Sequence, residues 1–326
     1  MSAGAPTCSI CNARETTGFN YGVLCCDACK MFFRRTLFVK NINSCHRLGE
    51  CIRKCRSCRF QKCIQAGMVF TPTKNTLEPT NNDQLSAFLF NLAHQEELRK
   101  YQLVNCWYDG DPTIAEIAEQ NAPIKFTKRP DGFPMNLGEW IFITGLTSLN
   151  YLKKFNHVNM LNASDRHFLL KYSFYEISIF TDSMRACERK EESITFPDGS
   201  DIISEAVPGL EMSFLNGIRC RLAARVNDLK MTKEEFLLLS AVFFCNPGFP
   251  GISKSGCDIL STYQKIYSSA LLQYCLVTYQ KAGPTRFTDL LAVFQVIIKM
   301  RQDLSYLSTF LSICGFAVTK KKLYNC

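Results

Sequence analysis

Cys8-x2-Cys11-x14-Cys26-x2-Cys29, then fifteen residues, then Cys45-x5-Cys51-x3-Cys55-x2-Cys58: this run decides how the first quarter of the chain folds. Structural zinc takes four soft ligands in a tetrahedron, and a two-residue spacer lets one turn present two thiolates to one ion. The spacing therefore predicts two four-cysteine zinc sites, one from Cys8, Cys11, Cys26 and Cys29, the other from Cys45, Cys51, Cys55 and Cys58. The segment has few apolar groups of its own, so metal binding supplies much of its folding free energy, ~10 kcal/mol or more per ion. Cys25 competes with Cys26, but only Cys26 stands at the two-residue spacing from Cys29. His46 is the alternative ligand to Cys45. Cys63, without a partner, is expected to be packed. A disulfide framework is the competing reading; Met1–Thr7 has neither the basic start nor the apolar stretch of a secretion signal, which favours a reducing compartment and metal.

Charge follows the cysteines. Residues 1–74 carry twelve Lys/Arg against three Asp/Glu, and the chain's whole formal charge is +9, so the remainder is neutral. A basic quarter of this kind points to a polyanion partner. The other 252 residues read differently. Hydrophobic residues make up 47% of a 326-residue chain, enough for a large second core. The apolar run Phe236–Cys245 is ten residues, against the ~20 a membrane span needs, so no membrane partner is expected. Cys187, Cys220, Cys245, Cys275 and Cys314 are expected to be small buried hydrophobes.

Cys26-Asp27-Ala28-Cys29-Lys30-Met31-Phe32-Phe33-Arg34-Arg35-Thr36-Leu37 has helical periodicity. Asp27, Lys30, Met31 and Arg34 share one face (i, i+3, i+4, i+7); Cys29, Phe32, Phe33, Thr36 and Leu37 share the other. One face is core and zinc; the other suits a major groove, where Lys and Arg reach guanine O6/N7 and Asp accepts from cytosine N4. These four are the candidate base-contact residues. Arg35 lies between the faces, placed for phosphate. A second helix is predicted over 56–66, with Phe60, Cys63 and Ile64 as its apolar stripe, Gly67 as its cap, and Phe60 set against Phe32 or Phe33. Arg53, Lys54, Arg56, Arg59 and Lys62 are then candidates for backbone phosphates, which set affinity and salt dependence.

Residues 71–83 hold two prolines and little apolar content and read as a hinge between a domain at 1–70 and one at 84–326. The second domain reads as helical. Leu85, Phe88, Leu89 and Leu92 separate from Gln84, Asn91 and Gln95; Phe168, Leu169, Tyr172, Tyr175 and Ile179 form another stripe. Thr232 with Glu235 is a capping box ahead of Phe236–Leu239, ended by the loop Asn246–Gly251. Helices are expected over about 255–279 and 287–314, separated by Gly283-Pro284. Ile194–Phe196 reads as a strand entering the turn Pro197-Asp198-Gly199. The fold class expected is mostly α.

The chain resembles the nuclear hormone receptors. The motifs that carry the resemblance are Tyr21-Gly22-Val23-Leu24, the Cys26–Arg35 run, and Cys55-Arg56-Ser57-Cys58-Arg59-Phe60-Gln61-Lys62-Cys63 ending in Gly67-Met68; it looks most similar to the divergent nematode-type receptors. Further on, Phe155, Leu161, Asp165-Arg166 and Leu169-Leu170-Lys171 resemble the signature of the family's ligand-binding domain, and Gly283–Phe287 with Leu290-Leu291 the entry to its long dimer helix. The resemblance implies a zinc-dependent, sequence-specific DNA-binding transcription factor, nuclear, acting on RNA polymerase II transcription from double-stranded hormone-response-type half-sites. It implies a three-layered helical domain with a small β-turn near 194–200, a small apolar ligand beneath that turn, dimerisation near 287–314, and corepressor or coactivator partners. Lys153 or Lys154 would be the coactivator-clamp lysine. The chain departs from the family in one extra residue between Cys11 and Cys26, in three residues rather than about nine between Cys51 and Cys55, in Asp27, Ala28 and Met31 for the commoner Glu-Gly-Gly, and in a degenerate activation helix: no Asp or Glu follows Asp303.

Two other classes are weighed. A zinc-organised protein-interaction module interleaves its ligands differently and has no use for this charge asymmetry. An enzyme lacks support: there is no Gly-rich phosphate loop, no paired His on a helix and no nucleophile elbow, His46, His94, His157 and His167 are scattered, and an all-cysteine site has no open coordination position.

Overall fold

A computed structural model describes residues 6–13, 15–38, 55–71, 82–120, 122–203, 207–315 and 321–324. The chain opens on a hairpin, β1 (Gly18–Asn20) paired antiparallel with β2 (Val23–Cys25), and passes into α1 (Asp27–Leu37). Then comes α2 (Arg56–Gln65). Gly67 ends α2 as expected. Its φ of +96° is left-handed, and Met68 N donates back to Cys63 O at 2.9 Å. Phe33 and Phe60 stack at 5.7 Å where α1 meets α2, and Cys63 and Ile64 are buried in the same small core.

The large domain is helical: α3 (Asn82–Asn105), α4 (Ile114–Glu119), α5 (Leu137–Leu152), α6 (Asn156–Met160), α7 (Ala163–Arg189), α8 (Met212–Asp228), α9 (Lys233–Phe244), α10 (Lys254–Tyr279), α11 (Gly283–Leu291) and α12 (Val293–Ile313). A short pair, β3 (Cys106–Trp107) with β4 (Thr127–Lys128), lies between α3 and α5; nothing in the periodicity announces it. α7 is central and packs against α4, α5, α8, α9 and α12, while α3 packs on α5 and α9 and α10 on α9 and α11. Among the described residues, no helix is long and apolar enough to cross a membrane.

Side chains at the helix ends tie the layers together. Thr232 and Glu235 form the predicted capping box at α9. Asn162 caps α7, whose Asp165 also accepts from Ser253 N at 2.7 Å and Ser253 Oγ at 2.6 Å, binding the starts of α7 and α10. The turn at 196–200 forms, with Phe196 N donating to Ser200 O at 2.8 Å and Gly199 at φ +88°. Its flank is one isolated bridge, Thr195 to Asp201, rather than a strand.

Four further features differ from what the periodicity predicts. Asn91 and Gln95, set opposite the apolar face of α3, are 0% and 2% exposed, because that face meets another core rather than water. Tyr175 is exposed and the buried side of α7 runs through Leu169, Leu170, Phe174 and Ile177. Of the scattered cysteines, Cys245 and Cys275 are buried, Cys187 and Cys220 only partly, and Cys314 is exposed. The final helix breaks at Ala292 and starts earlier, at Gly283, because Pro284 suits a first turn where its missing N–H is no loss.

Candidate metal centre and nucleic-acid interface

The hairpin and the start of α1 bring Cys8, Cys11, Cys26 and Cys29 together, their sulfurs all within 4.8 Å of one another. Cys11 Sγ and Cys26 Sγ are 3.9 Å apart. A tetrahedral ion with Zn–S of ~2.3 Å sets its sulfurs about 3.8 Å apart, so the cluster fits zinc with small adjustment. Local geometry makes this possible: Cys26 is the N-cap of α1, one turn before Cys29. Burial acts to raise the Cys8 thiol, yet backbone N–H groups of Cys11, Cys26 and Ile10 hold it down at about 6, which favours the thiolate a metal requires. Burial pushes the Cys25, Cys29 and Cys63 thiols up, so the shift does not separate ligand from packed cysteine and geometry has to. Cys25 is not in the cluster, as the spacing argument requires.

Cys55 and Cys58 stand at the start of α2, half-buried, and face the same cleft as Cys11, Cys26 and Cys29. Cys45, Cys51, His46, Arg53 and Lys54 lie outside the described residues.

α1 divides as its periodicity predicts. Cys29, Phe33, Thr36 and Leu37 are buried, while Asp27, Met31, Arg34 and Arg35 are exposed and Lys30 half-exposed. Arg56 and Lys62 are exposed on α2. Arg59 is used differently. Its Nη2 donates to Ala28 O at 3.1 Å and reaches Cys29 Sγ at 3.5 Å, and its guanidinium sits 4.3 Å over the Phe32 ring. It therefore ties α2 to α1 rather than standing free for a phosphate. Thr17 goes unremarked in the sequence: its hydroxyl donates to Asp27 Oδ1 at 3.0 Å and orients that carboxylate. No periodicity links residues ten apart across a hairpin.

Lys153 and Lys154 are only 7% and 5% exposed. Lys153 Nζ donates to Ala122 O at 3.0 Å, and burial pushes the two ammonium groups down to about 8 and about 7. Neither offers the surface cation that clamping a peptide demands. The segment Lys322–Tyr324 forms one 3-10 turn on α5: Leu323 is buried and the Tyr324 hydroxyl donates to Ile141 O at 2.7 Å.

Comparison with known proteins accords with this division. The family model for the double treble clef zinc finger of C4 type matches residues 6–70, and that for the ligand-binding domain of nuclear hormone receptor matches residues 136–308. Nuclear hormone receptor family member nhr-167 of Caenorhabditis elegans is 36% identical over 99% of this chain and 97% of its own length. Family member nhr-9 of the same organism is 36% identical over 92% of this chain and 89% of its own, and family member nhr-52 is 31% identical over 98% of each.

Proposed function

This chain belongs to the nuclear hormone receptor family, and on that premise we propose that it reads a hormone-response-type half-site in double-stranded DNA with the outer face of α1 and thereby regulates RNA polymerase II transcription in the nucleus. It is a zinc-dependent transcription factor rather than an enzyme. The observation that carries the reading is the four-cysteine cluster at the start of a helix whose outer face bears Asp27, Lys30, Met31 and Arg34. Those four are assigned to base edges. Arg35, Arg53, Lys54, Arg56 and Lys62 are assigned to phosphates, and Arg59 to bracing α1. The first ion belongs to Cys8, Cys11, Cys26 and Cys29, the second to Cys45, Cys51, Cys55 and Cys58. Zinc closes and orders these loops; it does no chemistry on the partner.

Domain limits of 1–70, 71–83 and 84–326 follow the charge and cysteine distribution. Pairing of two copies or of related chains through 287–314 is part of the same reading and rests on the family membership. A small apolar ligand for the helical domain rests on the match to the ligand-binding domain of the family, the space beneath the 196–200 turn being filled by Trp140 and Phe196. The burial of both candidate lysines speaks against the coactivator clamp. Corepressor contacts or contacts outside the clamp replace it.

The test is selection from random duplexes by the full chain and by its Lys30→Ala and Arg34→Ala forms. Each variant should lose discrimination at one or two positions, worth ~1–3 kcal/mol per base contact. An unchanged selected sequence in both would remove α1 as the reading element.

A further inference from the structure

Residues 68–71 run between the two cores and are held from both. On the zinc side, Val69 N donates to Tyr21 O at 2.9 Å. On the helical side, Phe70 N donates to Asn91 Oδ1 at 3.1 Å, and Asn91 Nδ2 and Gln95 Nε2 donate to Met68 O at 3.5 and 3.0 Å. Both amides are closed off from water, where an unpaired donor is costly, and both nitrogens are paired to Met68 O. Segment and helix therefore need each other.

Aromatic packing extends the joint. Phe60 of α2 meets Phe90 and His94 of α3 at 5.5 and 5.1 Å. The same ring stacks on Phe33 of α1, which also meets Tyr21 at 4.9 Å. Ala87 is buried in the zinc module's core, while Leu85, Phe88 and Leu92 of the same helix are buried in the large core. Phe88 stacks at 5.4 Å on Tyr267, at the centre of that core. A second contact closes beside it. A Cβ on Gly22 would lie 3.1 Å from Asn156 Oδ1, and Asn156 Nδ2 donates to Thr71 Oγ1 at 3.1 Å.

We propose that α3 is a shared helix that couples the two domains thermodynamically: ordering of the zinc module and its engagement of DNA stabilise α3, and the state of the helical domain changes DNA affinity by the reciprocal factor. The DNA half of this statement rests on the assignment of α1 as the reading helix. Phe33 is on the inner face of α1, so a load on the outer face passes through Phe33 and Phe60 to Phe90. Two autonomous bodies on a tether would have no reason to bury Asn91 and Gln95 at the crossing. A contiguous set of contacts is a route, and the coupling itself has to be measured as an energy.

Hydrogen exchange on the full chain measures it, with and without a zinc chelator, and with and without random-sequence duplex at low salt. Chelation should speed exchange at the α3 amides of residues 88–99 at least tenfold, and duplex should slow it. Amides of α9 stay protected throughout, reporting that the helical domain remains folded. In a Phe90→Ala/Gln95→Ala form, the α3 amides should stop responding to chelator and duplex although duplex still binds. Exchange at residues 88–99 within twofold of untreated protein after chelation would overturn the joint. Opening of α3 by chelation in a protein that never binds duplex would sustain the joint and overturn only the DNA assignment.

Discussion

Arg286→Leu should destabilise the helical domain by removing the cation beside a buried carboxylate. The Glu235 carboxylate is wholly buried at the start of α9 and accepts from Arg286 Nε at 2.7 Å, Arg286 Nη2 at 2.6 Å and Thr232 N at 2.9 Å. Arg286 Nη1 also donates to Leu229 O at 2.8 Å. Removing the guanidinium leaves a buried charge with its Thr232 cap and the Tyr279 hydroxyl but no cation, and breaking such a pair costs ~3–5 kcal/mol. For a domain of this size that lowers Tm by roughly 6–20 °C. The pH dependence identifies the cause. Burial acts to raise the Glu235 carboxyl, but the Arg286 hydrogen bonds and the Thr232 N–H bring it below its ordinary value. In the wild type its contribution is therefore present above the unfolded value, ~4.3, and is lost as pH falls through the folded value. In the variant burial, the largest influence, is opposed only by the Thr232 N–H and the Tyr279 hydroxyl, and the folded value is expected to be raised. Stability linked to Glu235 is then full below ~4.3 and is lost as pH rises through the raised value. Urea denaturation followed by circular dichroism at pH 7 and pH 4.5 should show the deficit of the variant large at neutral pH and clearly smaller in acid. A deficit below ~1 kcal/mol at pH 7, or one equal at both pH values, would mean that the ion pair does not hold the start of α9.

Lys62→Ala and Arg56→Ala should weaken binding to all duplexes alike and flatten the dependence of log K on log salt by roughly 0.9 per lost phosphate contact; a change in the preferred sequence would contradict that assignment. Cys29→Ser should abolish zinc uptake at the first site, measured by metal analysis and thiol protection. Cys63→Ser should leave the zinc content unchanged and cost ~1–3 kcal/mol for a hydroxyl in an apolar site. Gly145→Ala places a Cβ inside contact distance of Tyr324 Oη. It should release the 321–324 turn, seen as faster exchange there, with ~1–3 kcal/mol lost with the burial of Leu323.

Much of the zinc module is legible in the sequence, because ligand spacing and helical period are both local. Cys8, Cys11, Cys26 and Cys29 meet as their spacers require, and the two faces of α1 separate at i, i+3, i+4 and i+7. What stays hidden is non-local. Asn91 and Gln95 look like a solvated face, since periodicity distinguishes polar from apolar but not water from a second core. Arg59 looks like a phosphate contact until Ala28 O and the Phe32 ring are found beneath it. Lys153 and Lys154 carry long chains that can be buried whole, and only packing reveals it. Ala292 breaks the last helix with no glycine or proline at the break.

The central claim is that zinc orders a module that reads DNA sequence. Its most direct test is duplex selection by the full chain, with zinc and after chelation, at two salt concentrations. The expected result is a hexamer preference that vanishes on chelation and an affinity that falls steeply with salt. Equal, weak binding to every sequence, or a preference that survives chelation, would contradict it.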